Sequence, residues 1–120
     1  FLWGKRNYSK NIINGRSIRD DLIEMSLPDI AEDGNVVPLK FKINSDMTEK
    51  DYPKKVHILV LDNPFPEVAI YNFSPYNGEA EVSFRLRMRV SSEVIVIAEM
   101  INETVGLKKQ YVEVMLGACS

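Results

Sequence analysis

Cys119 is the only cysteine of the 120-residue chain and stands second from its end, in the run Gly117-Ala118-Cys119-Ser120. A single thiol closes no internal disulfide, so its chemistry is nucleophilic or group-carrying rather than structural. Its neighbours are all small, and four extended residues reach roughly 14 Å, so such a tail can carry a thiol off a body and into a narrow cleft of another protein. An exposed thiol with a pKa of about 8.5 is only a few per cent thiolate at neutral pH, so activation must come from the partner. The plainer reading is an incidental cysteine in a frayed terminus, and position alone does not choose between the two.

Two other groups carry candidate chemistry. His57, the one histidine, lies in Lys55-Val56-His57-Ile58. It serves as a base for Cys119 only if the tail folds back to within hydrogen-bond reach; otherwise it is a core or sheet-surface residue. Arg85, Arg87 and Arg89 fall on one parity of an alternating run, a row suited to partner carboxylates or to an oxyanion such as sulfate. A solvated strand face that discourages aggregation is the alternative. One His and one Cys are too few for a transition-metal site, so no metal and no cofactor is expected. No glycine-rich phosphate loop, H-E-x-x-H or nucleophile elbow is present, and no catalytic residue is assigned.

The elements that position these groups read as strands. From Glu79 to Val90, Ala80, Val82, Phe84, Leu86, Met88 and Val90 alternate with polar residues, which predicts a long strand with one buried face. Period-two runs recur at Ile23, Met25, Leu27 and at Val37, Leu39, Phe41, Ile43. Val56 to Leu61 and Val94 to Ile101 are nearly continuous apolar runs and read as central strands covered on both faces. Val68 to Phe73 and Tyr111 to Leu116 bring the number to about seven. Turn chemistry separates them at Asp33-Gly34-Asn35, Asp62-Asn63-Pro64, Tyr76-Asn77-Gly78 and Asn102-Glu103-Thr104. Pro38 requires an edge or a strand start. The expected fold is all-β, an immunoglobulin-like antiparallel β-sandwich.

The length and the 45% hydrophobic content allow one core and not two. The division is a 1–20 arm, a short helix or disordered; a 21–116 sandwich; and a flexible 117–120 C-terminal arm. Residues 1–20 hold five of the fifteen basic residues (Lys5, Arg6, Lys10, Arg16, Arg19) against Asp20, leaving ten basic and sixteen acidic residues elsewhere, a net of −6. An acidic body argues against nucleic acid as a partner. No apolar run of about eighteen residues exists, so no membrane span is expected. The chain begins at Phe1, consistent with an export signal already removed.

The chain also resembles the SoxY family, the sulfur-carrier subunits of the bacterial thiosulfate-oxidising Sox system, from about Asp21 to Ser120. The resemblance rests on P-D-I-A-E-D-G-N-V-V-P at 28 to 38, S-D-M-T-E-K-D-Y at 45 to 52, D-N-P-F-P-E-V-A at 62 to 69, F-S-P-Y-N-G-E-A-E-V-S-F-R-L-R at 73 to 87, V-I-A-E-M at 96 to 100 and the C-terminal cysteine. It implies a periplasmic immunoglobulin-like sandwich paired with a SoxZ-like β-sandwich subunit, carrying sulfur intermediates on Cys119 as thiosulfonate or persulfide. A haem cytochrome would load thiosulfate oxidatively and a hydrolase would release sulfate, so the carrier itself is not an enzyme. The family's terminal pattern is G-G-C-G-G; Gly117 and Cys119 match it, whereas Ala118 and Ser120 do not. Two alternatives remain: a non-covalent sandwich module recruiting a subunit through its edges and the arginine row, and a cysteine enzyme using His57. The sequence leaves the oligomeric state open, a homo-oligomer of the isolated chain included, because strand edges could pair with a copy of the chain or with a different subunit.

Overall fold

The computed structural model describes residues 10–115. β4 (Val37–Ile43) buries Val37, Leu39, Phe41 and Ile43 on one face, each at most 2% exposed, and turns its lysines outward. It lies between β2 (Ile23–Ser26) and β7 (Ala80–Leu86), both antiparallel to it, in a three-stranded sheet of order β2-β4-β7. Pro38 is the second residue of β4, beyond the reach of β2, so its missing N–H interrupts no ladder on that side.

The larger sheet sets β9 (Val105–Val114), β8 (Ser92–Met100), β5 (Pro53–Val60) and β6 (Glu67–Asn72) side by side in that order, each antiparallel to the next. β5 and β8, the two continuous apolar runs, are central and buried on both faces. Two strands of two residues each, β1 (Ile18–Arg19) and β3 (Ile30–Ala31), pair parallel with opposite ends of β9, making nine strands among the described residues. The two sheets enclose the main core, in which Val56, Ile58, Val94, Val96, Ala98 and Met100 face the apolar side of β4. Gly106 on β9 is where Leu22 crosses most closely: a Cβ there would meet the Leu22 Cβ at 3.0 Å.

Two expected boundaries differ by about four residues or more. The run predicted as one strand to Val90 ends its ladder at Leu86, because Leu86 pairs with Val37 and β4 offers no residue beyond it. The alternation nevertheless continues, with Met88 1% exposed and its N–H bonded to the Gly34 carbonyl of the 33–36 turn at 2.7 Å. The last strand begins at Val105 rather than Tyr111, since Gly106 and the polar stretch Lys108 to Gln110 hide its first half.

The outer face of the large sheet is also covered. Residues 10–13 are helical, and Ile12 and Ile13 pack on a second cluster of Leu59, Ile95, Ile97 and Val105. β1 follows on the edge of β9, so the basic N-terminal segment is part of the packed structure from residue 10 onward. Among the described residues no helix is long and apolar enough to cross a membrane.

Candidate functional site

Four chain segments meet at one end of the sandwich. The Val114 N–H donates to Ser91 Oγ at 2.8 Å, and the Met115 N–H to the Ala31 carbonyl at 3.1 Å. The Asp62 N–H donates to Ser92 Oγ at 3.0 Å, and Asn63 Nδ2 to the Arg87 carbonyl at 3.0 Å. The end of β9, after which the chain proceeds to Cys119, is therefore anchored beside the segment that carries Arg87 and Arg89. Gly117, Ala118, Cys119 and Ser120 themselves lie outside the described residues.

The three arginines stay together although β7 ends before two of them. Arg85 is on β7, Arg87 and Arg89 follow it, and all three are exposed and line one open groove of about 590 Å³. Val68 and Phe84 form its apolar floor, and Phe65, 82% exposed, stands at its rim. None of these guanidinium groups has an ion-pair partner among the described residues.

His57 sits on the opposite, outer face of the large sheet, 6% exposed. Its Nδ1 is 3.0 Å from Glu67 Oε2 and its Nε2 is 2.6 Å from Glu99 Oε2, while Arg16 Nη2 is 2.6 Å from Glu99 Oε1. Arg16 also donates to the carbonyls of Ile12 and Ile13, which ties the N-terminal turn to β8. Burial pushes the Glu99 carboxyl up, but hydrogen bonds from His57 and Arg16 outweigh it and hold the group below its ordinary value. With a carboxylate on each ring nitrogen, His57 has no lone pair facing open space, so this geometry makes it a clamp between strands rather than a base. The sequence singled out His57 but not its partners; the one signal was Glu99, a charge inside an otherwise apolar strand. Among the described residues no group of three His, Cys, Asp or Glu side chains has metal-binding geometry.

A two-sheet, largely antiparallel sandwich with a covered outer face and the end of its last strand anchored at a basic end defines a class of small immunoglobulin-like domain. The family profile for the sulfur oxidation protein SoxY matches residues 9–119, nearly the whole chain. The chain belongs to the SoxY family. Among curated proteins no sequence matches it. Of solved structures, it is similar to the sulfur carrier protein SoxY from Chlorobium limicola f thiosulfatophilum, at 22% identity and a TM-score of 0.72, covering 92% of this chain and 94% of that one. It is also similar in fold to a superoxide reductase (neelaredoxin) from Ignicoccus hospitalis, at 12% identity and a TM-score of 0.70, covering 78% and 80%. A further likeness, to a putative superoxide reductase from Thermotoga maritima, has 13% identity and a TM-score of 0.66 over 87% and 90%. At these identities the likenesses speak for the fold alone.

Proposed function

We propose that this chain is a covalent sulfur carrier of thiosulfate oxidation, with Cys119 as the attachment site. The observation that carries the reading is that the SoxY family match runs to residue 119, through the only cysteine the chain has. The anchoring of Val114 on Ser91 and of Met115 on Ala31 supports it, because the four residues from there to Cys119 would reach roughly 14 Å from the anchor if extended. Gly117, Ala118 and Ser120 serve as the arm that enters a partner's cleft.

The chemistry divides between the carrier and its partners. In loading, the Cys119 sulfur bonds to the outer sulfur of thiosulfate; the thiol proton is lost and two electrons pass to a haem cytochrome, leaving a thiosulfonate. Hydrolysis then adds water across the bond to the terminal sulfonate sulfur, releasing sulfate and leaving a persulfide on Cys119, with no net change in electrons. The carrier supplies a nucleophile and reach, not turnover, and needs no cofactor of its own. The setting is the bacterial periplasm, with a SoxZ-like sandwich subunit as the standing partner and Arg85, Arg87 and Arg89 as a contact surface.

Intact-mass spectrometry of the wild type and Cys119→Ser, after thiosulfate with an oxidant, tests the reading. The expected result is sulfur-containing mass additions on the wild type alone, removed by a reducing agent. The variant is expected to unfold within about 0.5 kcal/mol of the wild type, the range of a substitution that disturbs no packing, cap or buried network. Equal modification of both proteins, or of neither, rules out Cys119 as the carrier site.

A further inference from the structure

β9 outruns its partner. Its ladder with β8 ends at Ser92 opposite Val112, yet the strand continues to Val114 and its hydrogen bonding to Met115. Amides along a strand point alternately to its two sides, and the last three follow that rule. The Glu113 N–H donates to the Asp29 carbonyl at 2.9 Å and the Met115 N–H to the Ala31 carbonyl at 3.1 Å, both toward β3. The Val114 N–H points the other way, to the side of β8, which pairs with nothing beyond Val112. Ser91, the residue just before β8, supplies its hydroxyl there as the acceptor, at 2.8 Å.

That hydroxyl matters because Val114 is 3% exposed and shares the main core with Ala31. A buried amide left without an acceptor is more costly than a made hydrogen bond is favourable, so an apolar residue at position 91 would promote fraying of the strand from its end. β3 is only two residues long and does not hold that end alone. With Ser91 in place the strand is held on both sides up to Met115. Four residues then lead from Met115 to Cys119, so the thiol lies at most roughly 14 Å from that point. The adjacent Ser92 accepts the Asp62 N–H at 3.0 Å. Two neighbouring hydroxyls thus tie the root of the arm and the start of the 62–66 loop to one end of β8, and the point from which the reach is measured is fixed to the body.

We propose that Ser91 is the positioning residue of the carrier arm: its hydroxyl ends the strand at Met115 and so sets how far Cys119 extends. This rests on the carrier reading and adds to it a limit on the partners, since a reacting centre that meets Cys119 must lie within roughly 14 Å of the arm root. Without the hydroxyl the root retreats to Val112, the last residue paired with β8, and the arm lengthens by three residues, roughly 10 Å. A longer arm also dilutes the thiol at any one centre.

The test uses the full chain with nitroxide labels on Cys119 and on Lys109→Cys, an exposed β9 position, and reads the label-to-label distances by pulsed electron paramagnetic resonance. Ser91→Ala is expected to move the far edge of the distance distribution outward by up to roughly 10 Å. The same change is expected to speed hydrogen exchange at the Val114 amide roughly fivefold or more. Ser91→Thr, which keeps the hydroxyl, restores both. A Ser91→Ala chain that loses stability but keeps the parent distances shows a merely structural serine and overturns the proposal, as does Ser91→Thr behaving like Ser91→Ala. No sulfur chemistry enters the distance measurement, so the two readings fail separately. An unmoved far edge with sulfur adducts still forming on Cys119 overturns the role of Ser91 alone; a moved far edge on a chain that takes no adducts overturns the carrier reading and with it the purpose of the arm.

Discussion

Replacing His57 with alanine is expected to lower folding stability by about 3–5 kcal/mol, the range measured when one partner of a buried ionic network is removed. The side chains of His57, Glu99 and Glu67 are 8%, 16% and 21% exposed, so solvent does little to screen what is left behind. Glu99 would keep the guanidinium of Arg16 alone, and Glu67 would lose the ring nitrogen it faces in the intact cluster. Urea unfolding reads the loss directly. A double-mutant cycle with Glu99→Ala should return a coupling of about 0.5–3 kcal/mol between the two residues. If His57→Ala unfolds at the wild-type urea concentration, the clamp contributes nothing and the packing of Ile12 and Ile13 alone holds the N-terminal turn.

The same cluster sets an acid limit on stability. Glu99 is held below the ordinary glutamate value of about 4.5. The folded state therefore binds its proton less readily than the unfolded chain does. Its contribution is fully present above about pH 4.5 and is lost as pH falls through the lower folded value. The urea midpoint is expected to drop on acidification below that point, and Glu99→Gln, which carries no proton to bind, should flatten the drop while lowering stability at neutral pH. An identical acid profile in Glu99→Gln would place the acid sensitivity elsewhere.

What the sequence made legible follows from how locally each feature is encoded. β4, β5 and β8 declare themselves because their side chains alternate or stay apolar over seven to nine residues. β1 and β3 do not, because two residues hold no period and their pairing is set by the distant edge of β9. The end of β7 is likewise a property of β4, which runs out of partners at Val37. The arginine row was visible from parity, but not its groove, whose other wall comes from the 62–66 loop and β6. The His57 clamp was the least visible: its partners lie 10 and 42 positions away, and only the topology brings them together. Cys119 lies outside the described residues; its position and composition left two readings open, and it was the family resemblance that favoured the carrier.

Phe41→Ala is the other substitution expected to cost about 3–5 kcal/mol, the usual range for emptying a fully buried phenylalanine site. Phe41 is 1% exposed at the middle of β4, and its ring meets Tyr71 of β6 edge-on at 6.0 Å; Tyr71 in turn meets Phe84 of β7 at 6.2 Å. Tyr71 thus links the large sheet to the small one through two aromatic contacts, of which Phe41→Ala removes one and loosens the other. Against a typical domain stability of about 5–15 kcal/mol, the loss leaves little margin, and guanidinium unfolding together with near-ultraviolet circular dichroism should show both a lower midpoint and weakened aromatic signals. Phe41→Leu, which keeps most of the volume, should cost less than half as much.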